Sequence, residues 1–321
     1  MQNHKTTSQA IYQHLESAND VLIVSHQKPD GDTLCANFAL YKFLKEKNKN
    51  VTSFCLDPVP DSLKFLPYSH NLSNDHKVFT KSYDTIIVVD SGSLDYAGID
   101  GLISAIPSKY TMINIDHHAS NPHYGDINLV ITDASSTAEV LYRLFMDWKI
   151  NWDEEMASAL VCGIVTDTGG LKNPATTYQS LDAVADLVNK GANPHQIMNL
   201  TINNTDIASL RLWGRALERL KKNKKYDLVY TFITNQDLID CGASESASEG
   251  LANFLHILKD GSISMVLKET SNGYVKASLR TTSKTDLSKL AQIFGGGGHK
   301  KAAGFSLPGK LVYDNNKLRI V

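Results

Sequence analysis

VLIVSHQKPDGD, residues 21–32, opens with four apolar residues, passes a histidine and ends on two aspartates two positions apart. The apolar run at 21–24 reads as a strand covered on both faces, since a short unbroken hydrophobic stretch before a polar turn suits a buried parallel strand. The pattern recurs twice. IIVV at 86–89 leads into Asp90 of VVDSG, and MINI at 112–115 leads into Asp116-His117-His118. Between them a helix is predicted over about residues 33–47 and another strand over 51–56, so strand and helix alternate. Alternation of this kind predicts an α/β fold with a doubly wound parallel sheet. The carboxyl ends of such strands share one edge, where ligands bind. His26, Asp30, Asp32, Asp90, His117 and His118 would meet there, and acids and imidazoles so crowded need a cation to neutralise them. A metal site is predicted.

Taken singly, each motif also has a plainer reading. Gly31 would let the chain turn sharply, so that Asp30 and Asp32 point differently and could serve two neighbouring cations; the plainer reading is a β-turn with Asp32 capping the helix it precedes. Asp90 could be a loop acid, and the His-His pair a polar loop. In an extended segment neighbouring side chains point opposite ways, so one ion is not expected to take both histidines. His117 is assigned to the metal and His118 to the substrate, with Asp116 orienting a histidine. From residue 136 the chain turns helical, through TAEVLYRLFMDW and EEMASALVCGIVTD, and Asp167 stands at a helix end where an acid opposes the dipole.

Later, KKNKK at 221–225 reads as a connector, and YDLVYTFIT, SISMVLKET and GYVKASLRT read as strands of a smaller mixed α/β domain. Gly295, Gly296, Gly297, Gly298 and His299 form GGGGH, whose backbone N–H groups could meet an anion at close approach. Arg280 could add a forked phosphate contact.

Across 321 residues, 42% hydrophobic and 21% charged, the formal net charge is −2, which does not advertise a long polyanionic partner. Cys35, Cys55, Cys162 and Cys241 form no CxxC, which argues against a zinc cluster and suits a reducing compartment. The first twenty residues lack the apolar segment of a signal peptide, and no stretch approaches the roughly 18 apolar residues that span a bilayer. No membrane partner is expected, and a cytoplasmic location is.

In this order, HQKPDGD, VVDSG, IDHH, DASSTAEVLY, GIVTDTG, SLRT and GGGGHKKAAGF resemble the DHH/DHHA1 phosphoesterase superfamily, and its nanoRNase group of bifunctional oligoribonucleases and pAp phosphatases in particular. The resemblance implies a DHH catalytic, metal-binding domain over 1–190, a helical linker over 191–220 and a DHHA1 substrate-binding domain over 221–321. It implies two divalent cations, usually Mn²⁺, with Mg²⁺ or Co²⁺ as alternatives. His26, Asp30 and Asp90 would hold one; Asp32, Asp90, His117 and Asp167 would hold the other. His118 and Asp116 would serve catalysis. Arg280, the glycines 295–298 and His299 would face the substrate, a short RNA oligonucleotide or a nucleotide. The expected reaction is hydroxide attack assisted by two metals, giving mononucleotides from pGpG or pApA and AMP from pAp. A cyclic di-AMP or linear dinucleotide phosphodiesterase and a non-catalytic nucleotide-binding regulator are the alternatives, and a homodimer is common among relatives. Gly170-Leu171-Lys172 follows TDTG where an aromatic and an arginine are common, so the expectation for substrate preference is the one most exposed to change.

Overall fold

In a computed structural model, which describes residues 2–248, 250–255, 258–298, 300–314 and 317–321, the chain divides into two compact units, Met1–Asn204 and Thr205–Val321. The first runs α1 (Gln2–Ser17), β1 (Asp20–Val24), α2 (Gly31–Glu46), β2 (Asn50–Phe54), β3 (Leu72–Ser73), β4 (Thr85–Val89), α3 (Leu94–Ala97), β5 (Thr111–Asp116), β6 (Ile127–Val130), α4 (Thr137–Trp148), α5 (Glu154–Asp167), α6 (Tyr178–Asn189) and α7 (Pro194–Leu200). Its six strands lie in the order β3-β2-β1-β4-β5-β6 and pair in parallel throughout. The α/β, doubly wound parallel sheet expected from the alternation is the fold observed.

The unbroken apolar runs have a direct cause. Val21, Ile23, Ile87, Val89, Ile113 and Ile115 enter one core with α2, α4 and α5. Leu22, Val24, Ile86 and Val88 enter a second core on the other face, with Phe54 and Phe79. A strand buried on both faces has no polar face to display. β1, β4 and β5 are adjacent, so the motifs that follow them emerge side by side.

Gly31 and Gly163 let the helices close over this edge. A Cβ on Gly31 would stand 2.3 Å from Thr166 Oγ1 on α5, and one on Gly163 would stand 2.5 Å from the Ala138 Cβ on α4. The expectation that Gly31 supplies a sharp turn is therefore corrected. Gly31 is the first residue of α2, and what excludes a side chain there is the approach of α5.

The second unit runs α8 (Ile207–Glu218), β7 (Lys221–Asn223), β8 (Leu228–Ile233), α9 (Asn235–Cys241), α10 (Leu251–Phe254), β9 (Ile263–Glu269), β10 (Tyr274–Thr281), α11 (Leu287–Ile293), β11 (Gly297–Gly298), β12 (Ala302–Pro308), β13 (Leu311–Asp314) and β14 (Lys317–Ile320). Its main sheet is mixed, in the order β11-β12-β10-β9-β8-β7, with β8 and β9 parallel and β7 antiparallel to β8. KKNKK is thus not a connector: its first three residues form β7, an edge strand of this sheet.

Candidate metal centre

Five segments bring their side chains to the carboxyl edge of the parallel sheet. His26 follows β1, and its Nδ1 lies 2.8 Å from the Gln27 carbonyl. A carbonyl only accepts, so Nδ1 carries the hydrogen and Nε2 is the lone-pair atom of the neutral ring. Nε2 lies 3.5 Å from Asp90 Oδ2 and 3.7 Å from Asp30 Oδ1. His117 repeats the device. Its Nδ1 meets the Ala134 carbonyl at 3.4 Å, and its Nε2 lies 3.6 Å from Asp90 Oδ1 and 3.8 Å from Asp167 Oδ2.

Asp30, not Asp32, caps α2: its Oδ1 accepts from the N–H groups of Asp32 and Thr33. Asp32 turns inward and is 2% exposed. Its two oxygens accept from Thr137 N–H at 2.6 Å and Ala138 N–H at 2.8 Å, at the start of α4. Asp90 stands just past β4 with φ at 57°, a left-handed conformation that costs an ordinary residue energy and that clusters at functional sites. Asp167 is the last residue of α5.

Three overlapping groups each offer donor atoms within 4.8 Å of one another: His26, Asp30 and Asp90; Asp32, His117 and Asp167; and Asp90, Asp116, His117 and His118. Asp90 belongs to two of them, His117 to two. All of the sequence-predicted metal residues are therefore at this edge.

His118 differs from the other two imidazoles. Its Nδ1 lies 2.7 Å from Asp116 Oδ1, so the carboxylate holds a hydrogen there and fixes the ring's orientation. The rings of His117 and His118 have centroids 4.4 Å apart, which corrects the expectation that they point opposite ways. β5 ends at Asp116. Both histidines lie beyond the strand, where strand alternation no longer applies.

The electrostatics report the crowding. Burial opposes charge on His26, but Asp30 and Asp90 outweigh it and its pKa is pushed up to about 12. Burial, then Asp90, Asp167 and Asp30, raises Asp32 well above the carboxylate range. Burial also raises Asp167, to about 7, with His117 opposing and Asp90 and Asp30 adding. Burial opposes charge on His118, and Asp116 followed by Asp90 brings it up to about 9. Acids that hold protons, beside imidazoles with inward Nε2 atoms, form a donor set that suits a divalent cation.

Sequence reasoning missed several residues here. Asn121 donates to Asp116 Oδ2 at 2.6 Å, Tyr124 donates to the Ser91 carbonyl, and the Tyr96 ring lies 5.0 Å from the His26 ring. Thr137 Oγ1 donates to Asp90 Oδ1 at 2.9 Å. The signal for Thr137 was present in DASSTAEVLY, whose Ser-x-x-Glu spacing marks a helix start and so fixes where the first turn stands.

In the second unit, Arg280 on β10 donates from Nε to Asn253 Oδ1 and from Nη1 to the Leu279 carbonyl. The glycine run is more structured than an anion cradle requires. Gly295 N–H donates to the Gln292 carbonyl and Gly296 N–H to the Ala291 carbonyl, which closes α11 with a Schellman cap. Those two N–H groups are not available to an anion, and that part of the expectation is corrected. Gly297 and Gly298 are exposed in β11. His299 lies outside the described residues.

Residues 20–164 match the DHH family, N-terminal domain, and residues 225–318 match the DHHA1 domain. The chain carries a DHH domain with a DHHA1 domain after it. The DHH domain thus contains the Asp90 cluster except for Asp167, and the DHHA1 domain contains Arg280 and the glycine run. Over 289 residues the chain is 28% identical to the bifunctional oligoribonuclease and PAP phosphatase NrnA of Thermus thermophilus, covering 90% of this chain and 84% of that protein. It is 25% identical over 292 residues to the protein of the same name from Bacillus subtilis, covering 89% of each. The crystal structure of an exopolyphosphatase-related protein from Bacteroides fragilis matches with a TM-score of 0.87 at 27% identity, covering 97% of this chain and 92% of that one. The resemblance carried by the motifs holds. Among the described residues no helix is long and apolar enough to cross a membrane.

Proposed function

We propose that this chain hydrolyses phosphate esters of very short RNA and related nucleotides, releasing mononucleotides from dinucleotides such as pGpG or pApA and AMP from pAp. The observation that carries the reading is the convergence of His26, Asp30, Asp32, Asp90, His117 and Asp167 at one sheet edge, in a chain whose DHH and DHHA1 domains are shared with relatives named for oligoribonuclease and PAP phosphatase activity.

In this reading His26, Asp30 and Asp90 hold one divalent cation, and Asp32, Asp90, His117 and Asp167 hold a second. Mixed imidazole and carboxylate donors favour Mn²⁺ over an all-oxygen preference for Mg²⁺. When bound, such cations supply Lewis-acid activation of the attacking water and neutralise charge on the phosphate. The remaining work falls to the polypeptide. His118, charged near neutral pH through Asp116, presents Nε2–H as a donor to a phosphate oxygen. As the bond from phosphorus to the leaving oxygen breaks, the same group can deliver its proton to that oxygen. Arg280, the exposed glycines and His299 are assigned to holding the nucleotide.

Product analysis tests this. Purified protein is supplied with Mn²⁺ and given pGpG, pAp and cyclic di-AMP in parallel. GMP from pGpG, with AMP from pAp, is the expected result. Cleavage of cyclic di-AMP alone would replace the reading with a cyclic dinucleotide phosphodiesterase, and no cleavage of any of the three would overturn it.

A further inference from the structure

DASSTAEVLY contributes no metal donor in the assignment above, yet its Thr137 touches both acids at the heart of the cluster. Thr137 is the first residue of α4 and is fully buried. Its backbone N–H donates to Asp32 Oδ2, and its hydroxyl donates to Asp90 Oδ1 at 2.9 Å. Among the described residues that is the shortest polar contact of the Asp90 side chain; His26, His117 and His118 lie at 3.5, 3.6 and 3.7 Å.

The two oxygens of Asp90 face different ways. Oδ2 faces His26, while Oδ1 faces His117 and receives the Thr137 hydroxyl. The terminal torsion of an aspartate is broad, so its own rotamer preference does not hold the carboxylate plane. A donor fixed on a helix can hold it. The start of α4 is itself pinned: the Ser136 hydroxyl accepts from Glu139 N–H, and the Glu139 carboxylate accepts from the N–H and hydroxyl of Ser135.

We propose that Thr137 is a positioning residue that orients Asp90 Oδ1 and so sets the affinity of the cation on the His117 side of the cluster. The proposal rests on the metal-centre reading given above. It separates two contacts of one residue: the N–H to Asp32, which survives any ordinary substitution, and the hydroxyl to Asp90, which does not. Outer contacts of this type typically account for 10–100-fold in metal affinity, so the predicted loss is about that size.

The test uses the full chain, stripped with chelator and titrated with Mn²⁺ alone, following heat and the electron paramagnetic resonance of free Mn²⁺. Thr137→Val matches the shape and keeps the N–H; Thr137→Ser restores the hydroxyl. His117→Ala and His26→Ala mark which ion is which. Thr137→Val is expected to weaken by about 10–100-fold the ion that His117→Ala removes, leaving the ion that His26→Ala removes close to wild type. Thr137→Ser is expected to keep both. Wild-type affinity in Thr137→Val, an equal loss of both ions, or a serine variant as poor as the valine variant would each overturn the proposal. If the wild-type chain bound no more Mn²⁺ than a His26→Ala/His117→Ala double variant, the metal-centre reading would fail and this inference with it.

Discussion

Asp116 Oδ1 accepts from His118 Nδ1 at 2.7 Å and from the backbone N–H groups of His117 and His118, while Asp116 Oδ2 accepts from Asn121. One buried carboxylate thereby fixes both the turn after β5 and the orientation of the His118 ring. Asp116→Asn keeps the shape but removes the negative charge that favours the protonated His118 ring, so the ring loses the Nε2 proton assigned to it. We expect kcat on pGpG to fall by at least about 10²-fold, the lower end for a positioned general acid, with Mn²⁺ content retained. Single-turnover rates with metal analysis on the same sample check this; an unchanged kcat removes His118 from the proton-transfer role.

Asp90 combines a left-handed backbone with a charge set among other acids. Asp90→Asn keeps a residue that tolerates that conformation and leaves an oxygen for Thr137, but removes the charge. Thermal melts in chelator should show a protein no less stable than wild type, while Mn²⁺ binding and hydrolysis are lost. A trade of stability for function at the site has this signature. A large drop in melting temperature would mean that Asp90 is there for the fold.

Gly31→Ala tests the closure of α2 on α5. The added methyl would sit 2.3–2.8 Å from three atoms of Thr166, so one of the helices must shift. A loss of about 1–3 kcal/mol is expected, the usual cost of overpacking a tight core. Thr166→Ala removes two of the three clashing atoms, so the double variant should lose less than the sum of the single losses in a denaturant titration. Strict additivity would place the cost of Gly31→Ala elsewhere.

Metal binding should compete with protons. His26, raised to about 12, and Asp167, raised to about 7, hold protons in the polypeptide alone that a coordinated cation displaces. Since the free form binds more protons than the bound form, affinity must rise with pH and fall as pH drops, with Asp167 making the slope steep near neutrality. Mn²⁺ affinity at pH 6 and pH 8, and heats measured in buffers of different ionisation enthalpy, check the sign. Equal affinities and no proton release would contradict it.

The apolar runs before His26, Asp90 and Asp116 were sufficient to read three strands, because a strand buried on both faces announces itself without alternation. Their being neighbours, in the order β1-β4-β5, is what turns three separate motifs into one site. The directions of His117 and His118 were not legible. They depend on where β5 ends, and strand ends are set by tertiary hydrogen bonds such as the one from Ile131 N–H to the Asp116 carbonyl. Nor was the role of Gly31, since a close approach by Thr166 involves a helix more than a hundred residues away in sequence. KKNKK read as a connector because charge and low hydrophobicity suit both a loop and an edge strand.

The most direct test of the central claim is hydrolysis of pGpG by purified protein stripped with chelator, before and after Mn²⁺ is returned, with Asp90→Asn alongside. No GMP is expected before the return, GMP release after it, and none from the variant at any point. Turnover that persists in chelator, or that survives Asp90→Asn, would contradict it.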